Sequence, residues 1–112
     1  HEPIEQEAID GMVNSILTLI CEVYEISRDE LIFGNSKSGN RVIALESASY
    51  IFSNYYDMSN VDISSRLNKH PSIVSRYIKE VINYDGNHIV DKEKLFLLNK
   101  TLHQMKVLNL IK

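Results

Sequence analysis

The chain has 112 residues, of which 44% are hydrophobic and 24% are charged, and its formal net charge is −3. This length predicts one domain, and the composition argues against disorder. No apolar run approaches the roughly 18 residues that a membrane span needs, the acidic start differs from a signal peptide, and the single Cys21 excludes an intramolecular disulfide. We therefore expect a cytoplasmic protein, and His1 in place of a starting Met predicts a piece of a longer parent chain.

The charges are distributed unevenly along the sequence. Residues 1–33 hold eight acids and one base, which gives −7. Residues 34–80 hold six bases and four acids, and residues 81–112 hold five bases and three acids, which gives +2 for each. One face can therefore approach an anionic polymer if the acidic segment points away from it.

The first half of the sequence predicts two helices followed by a loop. From about Pro3 to Tyr24, apolar residues recur at three- and four-residue steps, which indicates one long amphipathic helix. Ser27 and Glu30 have the spacing of a capping box at the start of a short helical turn that ends at Gly34. Residues 35–41 form a polar, basic stretch that is typical of a loop.

Three further helices are predicted between residues 42 and 82. The first covers residues 42–56, and Ser59 then provides an N-cap for a short helix over residues 61–67. Asn68 suits a left-handed turn, and Pro71 suits the first position of a helix that continues to Ile82.

The C-terminal segment predicts a turn and one more helix. Asp85 and Gly86 indicate the turn, and residues 83–90 allow at most a small β-ribbon. From Asp91 onward, apolar residues recur on one side of a helix: Leu95, Leu98, Leu102, Met105, Leu108 and Ile111. The prediction is an all-α fold of five or six helices, with a DNA-binding unit at residues 1–84 and a helical extension at residues 85–112.

The segment from Ile63 to Lys79 carries the pattern of a helix-turn-helix. Ile63 and Leu67 give the apolar pair of the first helix, Ser64 gives the small residue at the crossing, and Asn68 gives the turn. The second helix then shows DNA a face of short or basic side chains, namely Ser72, Ser75, Arg76 and Lys79, with Lys69 and His70 at its N-terminal end. Two packed helices are common in all-α proteins without DNA, but the absence of any acid between Ile63 and Lys79 favours DNA binding.

The basic stretch before the third helix is a second candidate contact. Lys37 and Arg41 stand among small residues that make the loop thin enough for a minor groove. The alternative is that both side chains only solvate the loop.

A family resemblance adds to this pattern. Residues 16–81 resemble the C-terminal DNA-binding domain of the bacterial replication initiator DnaA in the order of their features. The first helix and its following turn (Ile16 to Leu31), the basic loop (Lys37 to Arg41) and the helix with Ala44, Ala48, Tyr50 and Ile51 resemble the corresponding family segments. Residues 69–74 stand in the place of the family's Arg-Asp-His-Thr-Thr-Val signature.

The resemblance implies a recognition helix in the major groove of an origin site and a basic loop in the adjacent minor groove. Two departures from the family pattern imply a different DNA sequence: Leu45 replaces the usual Arg, and residues 69–73 are one residue shorter than the signature. Pattern and resemblance together give nine candidate DNA contacts: Lys37, Arg41, Lys69, His70, Ser72, Ile73, Ser75, Arg76 and Lys79.

Three functions are compatible with the sequence. The favoured one is sequence-specific binding of double-stranded DNA by the origin-binding module of a replication initiator. The second is a helix-turn-helix transcriptional regulator that dimerises through the C-terminal helix, and the third is a protein-interaction domain whose contact surface is the acidic first helix. We expect no enzymatic activity and no cofactor or metal, because catalytic motifs are absent and the four histidines are dispersed.

Overall fold

A computed structural model describes residues 3–35 and 39–112 of the chain. These residues form six α-helices and no strand, which confirms the all-α prediction. The helices are α1 (Pro3–Val23), α2 (Arg28–Phe33), α3 (Asn40–Tyr56), α4 (Asn60–Leu67), α5 (Pro71–Ile82) and α6 (Ile89–Val107). Residues 83–88 contain turns and irregular backbone and no ribbon, and α6 begins two residues before its predicted start.

Local side-chain chemistry sets several of these helix ends. The hydroxyl of Ser27 accepts a hydrogen bond from the backbone N–H of Glu30 at 3.1 Å, and Ser59 accepts one from Asp62 at the same distance. These are N-caps of α2 and α4. Asn68 ends α4 in the left-handed conformation, with φ 56° and ψ 48°, which asparagine tolerates better than most residues.

The core is built around α3. Five of its apolar side chains are fully buried: Ala44, Leu45, Ala48, Ile51 and Phe52. Helices α1, α2, α4 and α5 all pack against it. Because α3 is covered on several sides, its polar residues Glu46, Ser47 and Ser49 are buried as well.

The C-terminal extension packs on the rest of the chain through α1. Of the apolar stripe predicted for it, Leu98 and Met105 are buried, whereas Leu108 keeps 56% of its surface exposed. The chain then returns to α3, where the hydroxyl of Tyr56 donates a hydrogen bond to the carbonyl of Leu110 at 2.6 Å. Among the described helices, none combines the length and the apolar character that crossing a membrane requires.

Buried and partly buried polar contacts join the residue after α1, helix α3 and the segment that precedes α6. The hydroxyl of Tyr24 donates to Ser47 Oγ at 2.7 Å, and that of Tyr84 donates to Glu46 Oε1 at 2.6 Å. Burial raises the pKa of Glu46 because it disfavours the charged form. Burial, together with the hydrogen bond to Glu46, also holds the pKa of Tyr84 far above its usual range, so the phenol keeps its proton. Lys94 Nζ lies 5.3 Å from the centre of the Tyr84 ring.

Candidate nucleic-acid interface

Helix α4, the left-handed turn at Asn68 and helix α5 form a helix-turn-helix arrangement. The side chains of Ile63 and Leu67 are fully buried, and Ser64 is 5% exposed at the crossing with its hydroxyl donating to the carbonyl of Val61. The backbone N–H of Lys69 donates to the carbonyl of Ser64 at 2.9 Å. The turn therefore fixes the direction in which α5 leaves α4.

Helix α5 has one apolar face and one polar face. Its buried side carries Val74 and Val81, which are 0% and 6% exposed, with Tyr77 and Ile78 half-buried beside them. The opposite side carries Ser72, Arg76 and Lys79, which are exposed at helical spacing, and the exposed Glu80 lies beside them, four residues after Arg76. We call Ser72, Arg76 and Lys79 the outer face of α5.

The two cations of the outer face are available to a partner. Neither Arg76 nor Lys79 makes a side-chain hydrogen bond or an ion pair with any other residue that the structure describes. Ser75 and Ile73 flank the outer face and are half-buried. Ile73 therefore has only part of its side chain for an apolar contact with DNA.

His70 and Lys69 precede the outer face, as the sequence predicts. His70 Nδ1 accepts a hydrogen bond from the backbone N–H of Ser72 at 3.1 Å and lies 2.8 Å from Ser72 Oγ, so the imidazole is the N-cap of α5. Lys69 is half-buried, and its pKa is lowered first by burial and then by the charge of Arg41. Together with Ser65 and Asn68, these residues line a shallow depression between α4 and α5.

Arg41 does not lie in an exposed loop, and that prediction is wrong. Gly39, with φ 70°, precedes the first turn of α3, which begins at Asn40 and so includes Arg41. The side chain is 6% exposed, and its Nε donates to the carbonyl of Glu30 at 2.8 Å. Arg41 is thus a buried cation whose field reaches Lys69. Lys37, the other basic residue of the predicted loop, lies outside the described residues.

Part of the acidic first helix is held against the helix-turn-helix. Arg66 of α4 contacts Asp10 of α1 at 2.9 Å and Asp62 of its own helix at 3.1 Å. The pKa of Asp10 is lowered first by its hydrogen bond with Arg66 and then by that with Gln6. Asp10 therefore has a contact within the fold, and Arg66 is less available to a partner than Arg76.

Two features of the interface were missed from the sequence. Ser65 is exposed and lies beside Lys69 and His70; a helical projection of α4 would have found it, because it stands opposite Ile63 and Leu67. The capping hydrogen bond of His70 had no such signal, since serine, threonine, aspartate and asparagine are the usual N-cap residues.

The described residues contain no group of three His, Cys, Asp or Glu side chains that could hold a metal ion. The chain matches no protein-family model, no curated protein and no solved structure.

Proposed function

We propose that the chain binds double-stranded DNA in a sequence-specific manner, with α5 in the major groove. The observation that carries this proposal is the outer face of α5, where Ser72, Arg76 and Lys79 are exposed on the second helix of a helix-turn-helix. Arginine pairs with the O6 and N7 acceptors of guanine, lysine binds phosphate or guanine, and a serine hydroxyl bonds to either kind of base edge.

The dimensions of α5 suit this placement. The major groove is about 12 Å wide and accepts an α-helix with its side chains. The short side chains Ser72 and Ser75 let the helix axis approach the base edges closely. At the N-terminal end, the helix dipole and the side chain of Lys69 together favour a phosphate.

Arg41 supports the same surface in a different way from the one that the sequence predicted. Because its guanidinium is buried behind α2 and α3, it does not extend into a minor groove. Burial, and after it the charge of Arg41, lowers the pKa of Lys69, so the fields of the two cations add. Arg41 therefore strengthens the positive potential near the start of α5.

The finer proposal is that this DNA is a replication origin bound by an initiator. It is supported by the resemblance of residues 16–81 to the C-terminal domain of DnaA. A transcriptional regulator is the second candidate, and one observation favours it: Phe96 and Leu108 remain 66% and 56% exposed on the extension, where a second copy could cover them. A monomer on short repeated sites supports the initiator, and a dimer on a palindrome supports the regulator.

The proposal is tested by fluorescence anisotropy with a labelled duplex chosen by selection from a randomised library. We expect tight binding to the selected duplex and weaker binding to a scrambled one, with both affinities falling as salt rises. Lys79→Ala should weaken binding, whereas Lys100→Ala, which removes an exposed lysine from α6, should not. A chain that binds no duplex at low salt is not a DNA-binding protein, and the protein-interaction function then takes its place.

A further inference from the structure

The hydrogen bonds around His70 determine where its proton lies. Nδ1 is 3.1 Å from the backbone nitrogen of Ser72, and a backbone N–H can only donate. Nδ1 therefore offers a lone pair and carries no hydrogen. The imidazole in this arrangement is neutral, with its proton on Nε2.

The position of that proton also determines the direction in which the hydroxyl of Ser72 points its hydrogen. Ser72 Oγ lies 2.8 Å from the same Nδ1. Since Nδ1 has no hydrogen, the contact is a hydrogen bond only if the hydroxyl donates. A serine hydroxyl has one hydrogen and two lone pairs. The hydrogen of Ser72 is thus directed to His70, where it shares the single lone pair of Nδ1 with the backbone N–H, and only lone pairs remain for a partner on the exposed side.

Base edges in the major groove differ in what they offer to such a group. Adenine N6 and cytosine N4 carry amino groups that donate, whereas guanine O6 and N7 and thymine O4 accept. We propose that Ser72 is a specificity-determining residue that accepts a hydrogen bond from the exocyclic amino group of an adenine or a cytosine. This inference rests on the proposed function, because it assumes that the outer face of α5 contacts base edges.

The neighbouring serine provides a built-in control. Ser75 is half-buried and makes no side-chain hydrogen bond with any residue in the described part of the chain. Its hydroxyl is free to donate or accept. Ser75 should therefore show no preference between the two kinds of base edge, although it lies on the same helix and has the same side chain.

The test begins by locating the base that Ser72 contacts. Selection from a randomised duplex library is carried out with the unchanged chain, with Ser72→Ala and with Ser75→Ala. The position at which Ser72→Ala alone loses its preference identifies the contacted base pair, and every pair holds one amino-bearing base, adenine or cytosine. Duplexes are then made in which purine replaces adenine, or pyrimidin-2-one replaces cytosine, at that position, so that only the amino group is removed.

We expect removal of the amino group to weaken binding of the unchanged chain about three- to tenfold, the range for one hydrogen bond. The same analogue should reduce the DNA affinity of Ser72→Ala markedly less. Comparing the loss of affinity in the two chains cancels any effect of the analogue on the duplex itself. 7-Deazaadenine keeps the amino group and loses an acceptor. It should therefore change little the difference in DNA affinity between the unchanged chain and Ser72→Ala.

Two outcomes would overturn the inference while leaving DNA binding intact. They are an unchanged preference in Ser72→Ala and equal effects of the amino-deleted base on both chains. Failure of the unchanged chain to bind any duplex would instead refute the proposed function.

Variants at His70 test the hydrogen-bonding cause directly. In His70→Asn, the amide oxygen can still accept from Ser72, so the preference for the amino-bearing base should persist. In His70→Ala, the hydroxyl can turn outward and donate, so the preference should fall toward none. Circular dichroism is used to check that both variants keep their helices. Equal preference in the two variants would show that His70 does not orient Ser72.

Discussion

The polar side chains of this protein are used differently in two regions. The closure cluster consists of three hydrogen bonds, Tyr24 to Ser47, Tyr84 to Glu46 and Tyr56 to Leu110, whose partners are 23, 38 and 54 residues apart in sequence. At the outer face of α5, the side-chain hydrogen bonds within the described structure join Ser72 to a residue two positions away, His70. Polar groups in the closure cluster hold the fold together, whereas those on α5 remain available to a partner.

Two arginines of the helix-turn-helix repeat the contrast. Arg66 is bound by two carboxylates, one of them from α1, and therefore fastens α4 to the acidic helix. Arg76 is exposed and has no hydrogen-bond or ion-pair partner among the described residues. Residue type alone does not separate an arginine that is paired within the fold from one that is exposed; the partners in the fold do.

The largest effect should come from removing the anchor of the extension. Met105 of α6 is fully buried, and Met105→Ala should lower the free energy of unfolding by about 2–5 kcal/mol because it leaves a cavity. Phe96→Ala, on the same helix but 66% exposed, should change it by about 0.5 kcal/mol or less. Urea denaturation measures both. Equal effects would mean that α6 is not held on the domain in solution.

The closure cluster is tested by Tyr84→Phe. The change removes one hydroxyl and leaves the buried Glu46 carboxylate without its donor, so we expect a loss of about 1.5–3 kcal/mol in the free energy of unfolding. DNA affinity should stay unchanged wherever the variant is folded, because Tyr84 is not on the outer face of α5. A weaker affinity in the folded variant would show that the two regions are coupled.

The outer face is tested by Arg76→Ala. We expect a loss of about 1–3 kcal/mol in the free energy of DNA binding, with relaxed preference at one base position if the guanidinium contacts guanine. Stability should barely change, since the side chain is exposed. Arg66→Ala should lower the free energy of unfolding and leave the DNA affinity of the folded chain unchanged. Uniform weakening across all sequences would assign Arg76 to a phosphate.

The smallest effect concerns pH. Burial raises the folded-state pKa of Glu46 above its ordinary value of 4.5, so the protonated acid is favoured in the folded chain. Its contribution to stability is therefore fully present below pH 4.5 and is lost as the pH rises through the raised value. Glu46→Gln cannot titrate and should remove this component from the pH profile of unfolding. The assignment would be contradicted if the free energy of unfolding of the unchanged chain, relative to that of Glu46→Gln, increased as the pH rises.

Much of the fold could be predicted because its signals are local. Ser59 and Asn68 mark helix ends through their own hydrogen bonding and backbone preference, and the structure has both where the sequence placed them. Arg41 was misplaced because the hydrogen bond of its side chain is with the carbonyl of Glu30 on α2, 11 residues away, which no short pattern contains. The pairing of Tyr84 with Glu46 was likewise beyond reach, since it joins distant segments through tertiary packing.

The hydrogen bond from Tyr56 to Leu110 has a consequence for the order of folding. The contacts between α4 and α5 join neighbouring segments and can form quickly, whereas this bond must close a loop of 54 residues at an entropic cost that grows with loop length. During synthesis, α4 and α5 leave the ribosome before Leu110 does. We expect the helix-turn-helix to form before the hydrogen bond from Tyr56 to Leu110, so that the Tyr56 hydroxyl of a nascent chain faces water until the final segment arrives.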